Sequence, residues 1–132
     1  MAARNVPLSL ALSFATFIVP LESAEPSVAG TWRGESICAT AATACSNETV
    51  VYSIKEVPER ADVVMIHASK IVNGAPVTMG EGPWKFDRSS GTLEWRTTRQ
   101  VWLLKVADDR IEGTLTLADQ TVFRKMSLKR QK

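Results

Sequence analysis

The sequence predicts an all-β domain, an eight-stranded antiparallel meander closing into a small barrel, and three features carry that expectation. Past residue 24 the chain is a succession of short segments rich in Val, Ile, Thr and Trp, separated by turn signals such as "VNGAP", "DRSSG", "ADDR" and "ADQ". No run has a convincing helical period. The connections are too short for the crossover that a parallel pair needs, so neighbouring strands pair antiparallel. A meander of roughly eight strands most economically closes on itself, which removes its exposed edges.

Alternation assigns an inner face to each strand in turn. The first, near 28–39, places Val28, Gly30, Trp32 and Gly34 on one face, and the second, 48–57, does the same with Val50, Tyr52 and Ile54. The third, 61–72, reads "ADVVMIHASKIV" and is apolar on both faces, so its inward set stays open. The fourth, 83–88, turns Trp84 and Phe86 inward; the fifth, 92–99, turns Leu93 and Trp95 inward and leaves Glu94 and Arg96 in water. The sixth, 100–107, contributes Trp102, Leu104 and Val106. The seventh, 110–118, contributes Ile111, Gly113, Leu115 and Leu117, opposite Glu112, Thr114 and Thr116.

The last strand, 121–129, departs from the pattern, because the face that carries Val122, Met126 and Leu128 also carries Arg124. An inward arginine must find a partner, since an unpaired buried guanidinium is strongly destabilising. Barrel closure brings the first and last strands side by side. Arg124 is therefore expected to stack over Trp32, a contact of about 1–2 kcal/mol when desolvated, with Gly30 and Gly34 leaving room for it. The remaining basic residues of the "RKMSLKRQK" tail read as the solvated face of that strand.

Gly30-Thr31-Trp32 in the first strand, with Arg124 in the last, resembles the Gly-X-Trp and closing-arginine signature of the calycin barrels: lipocalins, fatty-acid-binding proteins, avidins and a group of small bacterial protease inhibitors. The motif covers a few residues and the architecture covers the chain past residue 24. "GTWRGESIC…C…ETVVY" is also similar, and more closely, to the opening of small exported bacterial barrels with no assigned activity. Lipocalins are longer and usually pack a helix outside the barrel, for which this sequence has no segment.

Ahead of the barrel, "MAARN" carries Arg4 and no acid, and "VPLSLALSFATFIVP" is long enough for a signal-peptide core but short for a membrane span. "LESA" offers Ala24 as the residue before a cut, which divides the chain into a leader, 1–24, and a barrel domain, 25–132. A periplasmic or secreted protein with no stable membrane span after processing is expected. Cysteine use agrees with export: the two cysteines, Cys38 and Cys45, are closely spaced and read as a disulfide. Metal binding is disfavoured, because the sole histidine, His67, stands far from both.

The 132 residues are 45 % hydrophobic and 23 % charged with a formal net charge of +2, an ordinary globular balance too nearly neutral for a nucleic-acid-binding face. No cofactor and no catalytic constellation are expected. His67 lacks a nucleophile in any recognisable motif. Glu35 and Glu48 flank the cysteine hairpin, but Glu35 belongs to the outer face with Arg33 and reads as solvated ion pairing. Asp108-Asp109 reads as a hairpin turn, and Asn47-Glu48-Thr49 matters as a glycosylation acceptor only in a eukaryotic secretory pathway.

Two functions fit a non-enzymatic exported barrel. The first is a carrier or sensor that takes a small apolar or aromatic ligand in the barrel mouth, with Tyr52, Trp84, Trp95 and Trp102 as walls and Tyr52 or His67 as the polar handle. The second is a protein-interaction module, an inhibitor or envelope factor whose partner is another exported protein. An eight-stranded barrel is just wide enough to be filled by side chains or to hold one small ligand. The bulk of the inward residues, with all four tryptophans among them, favours a filled interior.

Overall fold

A computed structural model describes residue 3, residue 5, residue 7, 9–17, 27–41 and 44–132. Eight strands follow one another: β1 (Gly30–Cys38), β2 (Glu48–Val57), β3 (Arg60–Val72), β4 (Ala75–Asp87), β5 (Thr92–Arg96), β6 (Gln100–Ala107), β7 (Arg110–Leu117) and β8 (Val122–Arg130). Each pairs antiparallel with the next, and β8 returns to pair with β1, so the sheet is a closed barrel. The predicted cut after Ala24 lies outside the described residues. Within 9–17 there is no helix or strand, and Leu10, Leu12, Phe14 and Phe17 are exposed.

Local chemistry explains where the strands turn. Asn73 and Gly74 both adopt positive φ, 52° and 81°, the geometry that matches a two-residue hairpin to the twist of its strands. β4 therefore starts at Ala75, eight residues before the strand expected from 83. Pro76, which reads as part of a turn signal, and Pro83 are tolerated because β4 bonds β5 only through Lys85, Phe86 and Asp87, leaving its upper part paired on the β3 side alone. β5 ends at Arg96, earlier than expected. There the Thr97 hydroxyl accepts from the amides of Arg99 and Gln100 and builds the turn into β6.

The core occupies one end of the barrel. Val28, Trp32, Ile54, Val64, Phe86, Leu93, Leu104, Ile111 and Leu128 are buried there and come from every strand or its flank. The inward set of β3, open in the sequence, is Val64, Ile66 and Ala68. β1 and β8 approach closely enough that a Cβ on Gly34 would collide with the Ser127 carbonyl and the Leu128 backbone, so glycine there is what lets the barrel close.

The closing arginine is Arg130, correcting the expected pairing of Trp32 with Arg124. The Arg130 guanidinium lies 4.3 Å from the centre of the Trp32 ring. It donates to the carbonyls of Ala29, at 2.9 Å, and Ser27, at 2.7 Å. The indole N–H of Trp32 donates to the Val28 carbonyl at 3.0 Å. Alternation gave the right face, because residues 124 and 130 share parity, but not the right height. Antiparallel pairing sets the beginning of β1 against the end of β8, so Trp32 faces Arg130 while Arg124 faces Cys38, six residues or about 20 Å away along the strand.

Candidate functional site

The other end of the barrel is open. A cavity of about 630 Å³ enters it, bounded by Ser36, Glu48, Val50 and Tyr52 on one side, and by Ile66, Ala68 and residues 79–84 on another. Trp95, Gln100, Trp102, Arg124 and Met126 complete the wall. The expectation of a filled interior holds for the Trp32 end and fails here. β3 and β4 explain why: their inward residues above Trp84 are Ile66, Ala68, Gly80 and Gly82, and a Cβ built on either glycine would meet nothing within 4 Å. Glycines alternating with Trp84 in "GEGPW" carry that signal in the sequence. It was missed because the fourth strand was begun at residue 83, which left Gly80 and Gly82 outside any strand.

Three tryptophans and the tyrosine form one aromatic wall. The Trp84 ring lies 6.2 Å from Tyr52, 5.9 Å from Trp95 and 6.4 Å from Trp102, centre to centre, in edge-on and tilted arrangements. Trp84 is buried, Trp102 partly so, and Trp95 is 43 % exposed at the rim. Trp95 and Trp102 are directly opposed across β5 and β6. The buried Nε1–H of Trp102 has no hydrogen-bond partner among the described residues. Among the described residues Tyr52 has only a weak acceptor, the Met126 sulfur at 3.7 Å. Burial, reinforced by Glu48 and opposed by Arg124, pushes its phenol far above the ordinary range, so it is a neutral donor.

His67, the other expected handle, is not in the wall. It faces Ser53 on β2 and Glu81 on β4, all on the outer face, where its Nδ1 lies 3.1 Å from a Glu81 carboxylate oxygen and its Nε2 lies 3.2 Å from the Thr78 hydroxyl. The two apolar faces of β3 had left its direction open; parity with Met65 rather than Ile66 decides it.

The polar groups of the wall are gathered near the cysteine loop. Cys38 and Cys45 form a disulfide, and the Cys38 amide donates to the Asn47 side chain at 2.8 Å. This loop delivers the Ser46 carbonyl to Arg124, whose Nη1 donates to it at 2.9 Å. The same nitrogen reaches the Ser36 hydroxyl at 3.4 Å and the Ser36 carbonyl at 3.5 Å. Glu48 stands 3.8 Å from Arg124 and equally 3.8 Å from Lys70, both through Oε1. Glu48 shares parity with Val50, Tyr52 and Ile54, so its inner position was legible; weighing it only as a partner of the outward Glu35 left its own face unassigned. Compared with known families and with curated proteins, the chain matches no family model and no individual protein.

Proposed function

We propose that this is an exported, non-catalytic barrel that binds a small apolar or aromatic ligand in its open end. The observation that carries the reading is the cavity of about 630 Å³ beside the Tyr52, Trp84, Trp95 and Trp102 rings. Its size falls in the range of about 300–1,000 Å³ typical of small-molecule pockets, and a mostly apolar wall with a few polar groups is what such pockets present. Export is supported by the disulfide, which suits an oxidising compartment, and by the apolar run 9–17, whose large side chains stay exposed rather than joining the core.

The test uses N-phenyl-1-naphthylamine, a neutral aromatic whose emission rises on leaving water. Saturable binding to the oxidised protein is expected. Gly82→Leu should abolish it by filling the cavity, with the unfolding midpoint little changed because the added Cβ has open space around it. Absence of saturable binding would refute the reading. Undiminished binding to a folded Gly82→Leu protein would move the site elsewhere.

A further inference from the structure

Arg124 has a donor edge that no described residue holds by a short hydrogen bond. It lines the cavity, its side chain is only 12 % exposed, and its Nη1 is occupied by Ser46 and Ser36. Its Nη2 meets Glu48 at 3.8 Å, beyond hydrogen-bond distance, and its Nε donates to no described residue. One edge of the planar fork is thus held by Ser36 and the disulfide loop, while the edge formed by Nε and Nη2 lacks a short partner among the described residues, although that edge is the one suited to a two-point grip on a carboxylate.

The local charges agree. Lys70 and Arg124 share the single Glu48 carboxylate. Glu81 also borders the cavity, but its carboxylate is engaged with His67 on the outer face. The group around Glu48 therefore carries one positive charge in excess, which a monoanion neutralises while Glu48 stays with Lys70. Cross-strand register sets Trp95, Trp102, Leu115 and Arg124 in one row around the wall, with two strand spacings, about 10 Å, between the Trp102 and Arg124 backbones. The buried Trp102 Nε1–H in that row is a second donor without a partner among the described residues. The row thus offers donors beside flat apolar faces, a demand for a ligand that is aromatic in body and an acceptor at its end.

We propose that the ligand is a planar aromatic monocarboxylate, its ring against the tryptophan wall and its carboxylate on the Nε and Nη2 edge of Arg124. This rests on the binding function proposed above and specifies its ligand. The experiment is calorimetric titration of the full, oxidised protein with 2-naphthoate, its neutral isostere 2-naphthamide, and dodecanoate.

Naphthoate should bind about tenfold or more tighter than naphthamide, the scale of a hydrogen-bonded charge in a partly buried site. Arg124→Gln should bring the two within about twofold by weakening naphthoate alone. Glu48→Gln removes the competing carboxylate and should strengthen naphthoate severalfold without affecting naphthamide; this arm stands even where Arg124→Gln fails to fold. Equal affinity for naphthoate and naphthamide would overturn the anionic assignment while leaving a neutral binding site intact. Tighter binding of dodecanoate than of naphthoate would overturn the aromatic assignment. Weaker naphthoate binding in Glu48→Gln would overturn the assignment of Glu48 as competitor and with it the charge argument.

Discussion

Replacing Arg130 by alanine should destabilise the protein by about 2–3 kcal/mol through the contacts it makes at the closed end. The guanidinium sits 4.3 Å over the Trp32 ring. Its side chain is 24 % exposed, so the cation–π contribution is about 1 kcal/mol rather than the larger value of a fully desolvated pair. Its bonds to the Ser27 and Ala29 carbonyls are charge-assisted. Ser27 is exposed and its carbonyl regains water on mutation, so most of the further 1–2 kcal/mol or so comes from Ala29, which is partly buried. The Asp109 carboxylate, 83 % exposed, adds little.

The measurement is urea unfolding followed by circular dichroism, which does not depend on the tryptophan removed. A double-mutant cycle of Arg130→Ala with Trp32→Phe should return a coupling of about 1 kcal/mol, whereas the cycle of Arg124→Ala with Trp32→Phe should be additive within about 0.5 kcal/mol. Zero coupling for Arg130, or a coupling that appears with Arg124 instead, would refute the closure described here.

Two further outcomes are expected. Intact-mass analysis should find no free thiol before reduction and two after it, and reduction should lower stability by about 2–3 kcal/mol, the chain-entropy value for so short a loop; two freely alkylated thiols in the native protein would remove the staple that holds Ser46. Tyr52, the sole tyrosine, should resist ionisation while the protein is folded. The unfolded chain loses that proton near pH 10 or so, whereas folding holds it, so the associated stability is intact below that pH and declines as pH rises above it. Phenolate absorbance should therefore appear together with loss of the β-sheet signal, and an ordinary phenol titration in a still-folded barrel would contradict the burial of Tyr52.

Much of the barrel was legible because strand alternation is a local property. Val50, Tyr52 and Ile54, Trp84 and Phe86, and Leu104 and Ile111 are inward as their parity requires, and all are buried. Parity was silent where both faces are apolar, as in β3, and His67 was misplaced for that reason. The start of β4 was set too late, at Pro83, which left Gly80 and Gly82 unassigned; residues that interrupt a central strand are acceptable on one whose far edge is unpaired. The site suffered most from that error, because these glycines are what empties the open end.

The sequence by itself determined the strand count, the antiparallel order, the disulfide and the inner face of most strands, all of which follow from short-range periodicity and spacing. Only the tertiary structure decided the height at which β1 meets β8, and hence that Arg130 covers Trp32 while Arg124 is left to Ser36, Ser46 and the cavity. Two arginines on the same face are alike in period two. They differ only in how far along the barrel axis they stand, and that distance is set by the register of a closed sheet, to which every pair of neighbouring strands contributes.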